Sequence, residues 1–311
     1  MVKQKTRFEI DFMGKRRLTS LISGLLIIVS ITSLSLQGLN LGIDFTGGTL
    51  IEVAYPHAAD VVKVRESLRS SDYNDSVVQY FGTANDVLIR IPPREGLNSA
   101  AISNDVLKLL PQDDGVPEMR RVEFVGPQVG EELRDDGGLA MIYALIGIFI
   151  YVALRFQRRF SIGAIVALVH DVTITMGFFS VFRMDFDLTV LAAVLAVIGY
   201  SLNDTIVVFD RVRENFRKLR DTAPIQVFNV SINQTLSRTL MTSFTTVLVL
   251  IALFVFGGEI IHSFATALIV GIVVGTYSSI YVASPITLAL GVTKDDLMPV
   301  QKEGADIDTM P

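Results

Sequence analysis

The fold of this chain is decided by one stretch, Ile198-Gly-Tyr-Ser-Leu-Asn-Asp-Thr-Ile-Val-Val-Phe-Asp-Arg-Val-Arg-Glu-Asn215, which begins in an apolar run and ends among arginines. Asn203 and Asp204 lie inside a segment that otherwise has the composition of a membrane-spanning helix. A carboxylate at the centre of such a helix costs about 2.5–3.5 kcal/mol, so it usually faces the protein interior or a water-filled path. Asp204 is therefore a candidate functional residue. The alternative is that it lies near the helix end and reaches water.

The composition of the whole chain indicates a membrane protein. The chain has 311 residues, 50% of them hydrophobic, and its mean hydropathy is +0.48, which is high for a soluble domain. It has no cysteine and three widely separated histidines, so no metal site is expected. Its net charge of −5 argues against nucleic-acid binding. The absence of a Gly-x-x-x-x-Gly-Lys-Ser/Thr motif argues against a P-loop nucleotidase.

Six apolar segments are long enough to cross a bilayer. The first follows a basic N-terminus, and its length favours an uncleaved anchor over a signal peptide. Arginines cluster after the second and fourth segments, which by the positive-inside rule places both termini in the cytoplasm. The predicted organisation is a cytoplasmic N-terminus at 1–17, a first span at 18–39, an outer domain at 40–135, five spans within 136–290 with a cytoplasmic connection at 211–238, and a cytoplasmic tail at 291–311.

The polar insert at 40–135 has the pattern of a small α+β domain. Stretches rich in β-forming residues alternate with two helical patterns in the order β-α-β-β-α-β. This order predicts a ferredoxin-like domain. The predicted strands are 49–55, 76–81, 86–91 and 119–125, and the predicted helices are 59–68 and 102–110.

Three motifs in this chain resemble those of the SecF family of bacterial protein-export membrane subunits, a branch of the SecD/SecF family. They are the stretch quoted above, Leu41-Gly-Ile-Asp-Phe-Thr-Gly-Gly-Thr-Leu-Ile-Glu52 and Val122-Glu-Phe-Val-Gly-Pro-Gln-Val-Gly130. They occur in the order and spacing of that family, and the resemblance covers almost the whole chain. It implies a helical membrane protein with one span, an outer domain and five further spans. That plan is half of a resistance-nodulation-division (RND) transporter.

The resemblance also implies a function. Such a subunit pairs with SecD, works with the SecYEG translocon and YajC, and uses the proton motive force to help preproteins cross the bacterial inner membrane. It is not an enzyme and needs no cofactor. One alternative is a subunit of an RND-type exporter of small molecules or lipids, although those usually carry both halves and larger outer domains. A second alternative is a non-transporting scaffold of the translocon.

The candidate site residues are ionisable groups within the spans. His170 and Asp171 lie near the middle of the third span, Asp204 lies in the fourth, and Arg238 precedes the fifth. Facing each other, they could form a proton relay in which protonation of a carboxylate releases a paired arginine. The resemblance assigns the family's intramembrane aspartate to Asp204, beside Asn203, and its arginine to Arg238. The alternative is that these charges only pair to stabilise the bundle, or that the His–Asp pair only bonds a neighbouring helix.

Gly271 and Gly275 belong to a stripe of small residues spaced four apart in the last span. Small residues allow two helices to approach closely. We therefore predict a packing role for this stripe, and it is also a candidate contact with a partner.

Asp44, Gly47 and Gly48 lie where the chain leaves the membrane in the second motif. Glycines at such a point predict a turn with positive φ, and this is the interpretation we favour. Asp210 and Arg211 are predicted to lie at the cytoplasmic surface, where the aspartate has a helix-end role.

Overall fold

The computed structural model describes residues 10–94, 99–113, 115–219 and 221–293. In this part of the chain six helical segments are long and apolar enough to cross a membrane, which confirms the predicted fold class. A π-helical turn at Ser279–Ala283 joins the last two helices into one span. In chain order the elements are α1 (Arg16–Gln37), β1 (Asn40–Leu41), α2 (Ile43–Thr46), β2 (Gly48–Ala54), α3 (Val61–Arg69), β3 (Val77–Phe81), β4 (Thr83–Ile91), α4 (Ser99–Leu109), β5 (Glu118–Val125), α5 (Pro127–Arg155), α6 (Arg158–Val181), β6 (Asp185–Phe186), α7 (Leu188–Lys218), α8 (Pro224–Phe256), α9 (Glu259–Ser278) and α10 (Ser284–Ala289).

The outer domain is a four-stranded antiparallel sheet with two helices. Its strand order is β3-β4-β2-β5, which is the order of a ferredoxin-like fold. Alternate residues of the central strands point to one face, where Ile51, Val53 and Ile89 are fully buried. Leu68 of α3 and Val106 of α4 complete the same core. The predicted β-α-β-β-α-β order is therefore confirmed.

The membrane bundle has an inner and an outer set of helices. The spans of α6, α7 and α9–α10 are 61%, 56% and 50% buried, whereas those of α1, α5 and α8 are 22%, 11% and 17% buried. Small and polar residues on the inner helices allow this close contact. Polar side chains on the inward faces of α6, α7 and α9 are consequently surrounded by other helices of the bundle.

The helices extend further than the hydropathy indicates. Helix α5 begins at Pro127, inside the region assigned to the outer domain. Helix α7 continues to Lys218, and helix α8 begins at Pro224. Most of the predicted 211–238 connection therefore consists of the end of α7, a short turn and the beginning of α8. A helix that leaves the membrane keeps its 3.6-residue periodicity while its composition becomes polar, so hydropathy marks the membrane boundary and not the helix end. Most of the two predicted cytoplasmic tails lies outside the described residues.

Candidate functional site

The intramembrane aspartate, Asp204, is buried in the bundle with only 2% of its surface exposed. Its Oδ2 atom has no hydrogen-bond partner in the described part of the chain. Its polar neighbours are the hydroxyls of Ser243 on α8 and Thr276 on α9, which also bond each other at 2.7 Å. Arg238 acts on it through its charge, but among the described residues no salt bridge joins the two. Asp204 is thus a buried carboxylate with spare capacity to bind a proton.

A polar groove reaches the surface of the bundle beside this aspartate. It has a volume of about 430 Å³, and both Asn203 and Arg238 are exposed there. Asp204 is buried one residue away from Asn203. The residues that line the groove are Asn203, Ile206, Val207, Asp210, Arg211, Glu214, Gln234, Thr235 and Arg238. Four of the predicted site residues therefore share one open groove next to the buried carboxylate.

His170 and Asp171 form a second, separate cluster. The His170 Nδ1 atom lies 2.8 Å from Oδ1 of Asp171, and both side chains are buried. The other oxygen of Asp171 accepts hydrogen bonds from the hydroxyls of Ser201 on α7 and Ser278 on α9, the latter at 2.7 Å. Both oxygens of Asp171 are occupied, in contrast to Asp204. The predicted single relay is therefore divided into two clusters, with Ser201 of the second cluster one helical turn before Asp204.

Asp210 joins two helices at the end of the bundle. Its carboxylate lies 2.7 Å from the Arg155 guanidinium at the end of α5 and 3.4 Å from that of Arg213. The neighbouring Arg211 pairs with Glu214 at 2.8 Å. The Arg155–Asp210 pair links α5 to α7, whereas the other two pairs lie within α7, so the contacts of Asp210 and Arg211 are structural.

The second motif holds the beginning of the helix that carries Asp204. The Asp44 carboxylate accepts a hydrogen bond from the backbone N–H of Leu188, the first residue of α7, at 3.0 Å. Asp187 caps the same helix by accepting from the Val190 N–H at 2.8 Å. Gly47 and Gly48 have φ of 69° and 121°, which confirms the predicted positive-φ turn. The motif therefore joins the outer domain to α7.

Asp185 is a residue that the sequence analysis missed. It lies between α6 and α7, where β6 pairs in parallel with β1. Its carboxylate pairs with the Arg90 guanidinium at 2.9 Å and accepts from the Gln79 amide at 3.1 Å, and Asn40 also donates to it. Arg90 and Gln79 belong to β4 and β3 of the outer domain, so Asp185 connects that domain to the bundle. A carboxylate in a tight loop between two spans was the only sequence signal.

The two glycines of the small-residue stripe pack against α7 of the same chain. A Cβ atom on Gly271 would lie 2.2 Å from a methyl group of Val197, and one on Gly275 would lie 2.9 Å from Cβ of Ser201. Both distances are shorter than side chains tolerate. These two positions are contacts within the bundle and do not form a partner-facing surface.

Comparison with known proteins places this arrangement in a family. The family described as protein export membrane protein SecD/SecF, C-terminal, matches residues 106–293, and the SecD/SecF GG motif matches residues 32–55. The protein translocase subunit SecF of Vibrio alginolyticus is 51% identical over 310 residues, which are 99% of this chain and 98% of that protein. The subunit SecF of Pseudomonas aeruginosa is 52% identical over 294 residues, covering 94% and 95% of the two chains.

A solved structure has the same fold. The crystal structure of SecDF, a translocon-associated membrane protein from Thermus thermophilus, superposes with a TM-score of 0.82 at 36% identity. The match covers 93% of this chain and 40% of the SecDF chain, so the present chain spans less than half of that protein. This proportion agrees with the predicted half of an RND-type transporter. From its family match, its relatives and its fold, the chain belongs to the SecD/SecF family of protein export membrane proteins.

Proposed function

We propose that this chain is the SecF half of a proton-driven accessory complex that assists preprotein movement through the Sec translocon. The observation that carries the proposal is the buried carboxylate of Asp204, one oxygen of which has no hydrogen-bond partner among the described residues. Keeping such a group inside a membrane helix is costly, and proton binding removes the cost. An open groove lined by Asn203 and Arg238 lies beside it and is the proposed route for water.

The coupling step is an electrostatic switch between Asp204 and Arg238. When Asp204 is ionised, it attracts the Arg238 guanidinium and draws α8 toward α7. When Asp204 is protonated, that attraction is lost and Arg238 stays in the groove, which it lines in this structure. A proton that enters from one side and leaves to the other therefore drives the two helices between two arrangements.

Movement of α7 is transmitted to the outer domain at its opposite end. Asp44 holds the first turn of α7, and Asp185, three residues before that turn, holds Arg90 and Gln79. The three bonds have ordinary lengths of 2.9–3.1 Å, and those of Asp185 are partly shielded from water, so a shift of α7 moves the sheet with it. The outer domain then acts on the emerging polypeptide.

We further propose SecD as the partner that supplies the second half, with SecYEG, YajC and the preprotein as transient contacts. The length of the chain supports this, since it matches whole SecF relatives but only 40% of the SecDF chain. The complex lies in the bacterial inner membrane with both termini in the cytoplasm, and it catalyses no covalent chemistry.

The topology can be tested with single cysteines, because the chain has none of its own. A thiol reagent that does not cross the membrane should label Asn74→Cys and Asp221→Cys from opposite sides of the membrane. Labelling of both from one side contradicts the topology.

Proton flux through the complex tests the proposed function. Vesicles that contain SecD and this chain, together with SecYEG, should conduct protons when a pH gradient is imposed, and the flux should rise several-fold when a preprotein is in transit. The fluorescence of a pH-sensitive dye inside the vesicles measures it. If the chain is only a scaffold, the proton flux should not exceed that of vesicles with SecYEG alone. If it is an exporter of small molecules, the proton flux should not change when a preprotein is in transit.

The Asp185 contact gives a separate prediction. Asp185→Asn keeps the size of the side chain but removes its charge pair with Arg90, so the outer domain should lose its firm link to α7. We expect gradient-driven export to fall about threefold to tenfold while proton flux persists, since the Asp204 cluster is untouched. The double variant Arg90→Asp/Asp185→Arg should recover part of the export, and the control Asp113→Asn, an exposed pair with Lys63, should have no effect. Equal loss of flux and export would contradict a linking role.

A further inference from the structure

A groove at the basic end of the bundle takes no part in the site described above. It lies between the first turns of α1 and the last turns of α10, and its volume is about 700 Å³. This is within the range of about 300–1,000 Å³ that ligand sites occupy. The residues that line it are Arg16, Arg17, Ser20, Leu21, Pro285, Ile286, Leu288 and Ala289.

The groove is cationic at one end and apolar along its length. Two arginines and a serine hydroxyl stand at the start of α1, and the residues of α10 that form the opposite wall are all uncharged. The lining contains no carboxylate, and among the described residues neither Arg16 nor Arg17 forms a salt bridge. The groove therefore offers two guanidinium groups and an apolar track to one molecule.

The described carboxylate closest in sequence to these arginines forms its hydrogen bonds with other groups. Asp11 accepts hydrogen bonds from the Gly14 N–H at 2.9 Å and from the Asn229 amide at 2.8 Å. These bonds lower the pKa of Asp11. They hold its side chain toward α8, where Asn229 also accepts from the Met13 N–H at 2.9 Å.

The groove also has the position and spacing of a lipid site. Leu21 is 72% exposed, as befits a residue in contact with acyl chains, and it follows Arg17 by one helical turn, about 6 Å along the axis. In a phospholipid, the headgroup phosphate and the upper part of the acyl chain are separated along the membrane normal, as Arg17 and Leu21 are along α1. Basic pockets between transmembrane helices on the cytoplasmic side are known to bind anionic headgroups. The cytoplasmic location rests on the proposed topology.

We propose that this groove binds an anionic phospholipid. Its phosphate contacts Arg16, Arg17 and Ser20, and the upper part of an acyl chain lies along Leu21 and Ile286. The lipid joins α1 to α10 at an end of the bundle where few side chains do so. Beside the groove, the Tyr277 hydroxyl already links α9 to α1 by donating to the Thr19 carbonyl at 2.8 Å.

The test uses the fact that the chain contains no tryptophan. Leu21→Trp places one fluorophore in the groove of the full chain, which is reconstituted in vesicles of phosphatidylcholine and phosphatidylglycerol. Quenching by brominated phosphatidylglycerol, compared with brominated phosphatidylcholine, measures lipid preference at that position. The matched control is Leu154→Trp, an 84% exposed site beside Arg155, whose guanidinium is already paired with Asp210. Both leaflets have one composition, so the result does not depend on topology or on export.

We expect about a tenfold preference for phosphatidylglycerol at position 21 and little preference at position 154. In the Leu21→Trp background, the double variant Arg16→Gln/Arg17→Gln should reduce the preference to the value at position 154. Arg17→Gln alone should give an intermediate preference, and it provides the test if the double variant folds poorly. Equal preference at the two positions, or no change in the arginine variants, overturns the proposal. Relief of quenching by millimolar glycerol phosphate overturns it too, because the site then binds a soluble anion.

Discussion

Asp204→Asn should abolish the part of preprotein export that depends on the proton gradient. Asparagine keeps the shape of the side chain and removes its ability to ionise, so α7 and α8 no longer alternate between two arrangements. Folding should be preserved, because a neutral amide costs less inside the bundle than a carboxylate does. We expect export in vesicles with a gradient to fall to the level measured without one, and gradient-driven proton flux to drop by about tenfold or more.

The matched control for this experiment is Asp221→Asn. It removes a carboxylate from the exposed turn between α7 and α8, outside the groove, where the expected effect on export is small. Arg238→Ala should lose the same gradient-dependent activity as Asp204→Asn, since the switch needs both charges. If Asp204→Asn assembles with SecD and keeps the full stimulation by the gradient, Asp204 does not couple the proton and serves only the structure.

Gly271→Leu should destabilise the bundle strongly. Even a Cβ atom at this position would lie 2.2 Å and 2.6 Å from the two methyl groups of Val197 on α7, so α7 and α9 must move apart. These helices are both in the buried centre of the bundle, and overpacking such a contact costs about 1–3 kcal/mol or more. We expect a marked fall in the unfolding temperature in detergent and poor recovery of monodisperse protein in size-exclusion chromatography.

Two variants separate a steric effect from a general intolerance of leucine. Gly147→Leu places the same side chain on α5 at a position with no neighbouring atom within 4 Å, and it should fold normally. Gly271→Ala should be milder than Gly271→Leu, and the addition of Val197→Ala should restore most of its stability by removing the two clashing methyl groups. No recovery in the double variant would show that the contact with Val197 is not the cause.

Much of the architecture could be predicted from the sequence because it depends on local properties. Twenty or so apolar residues can satisfy their backbone groups in a membrane only as a helix, so hydropathy located the spans. The alternation of β-forming stretches with helical patterns gave the ferredoxin-like order of the outer domain. The unusual placement of Asp204 in an apolar run identified it as a candidate without any knowledge of its neighbours.

The tertiary structure decided how those parts are combined. It separated His170 and Asp171 from Asp204, put Arg238 in an open groove without a salt bridge to Asp204, and turned Gly271 toward α7. It also brought Asp185 to Arg90, a residue 95 positions away in the sequence. The physical reason is the separation in sequence between the residues that interact. Spans and strands follow from interactions within a few residues, whereas each of these contacts depends on the rotation and crossing of helices that many distant side chains fix together.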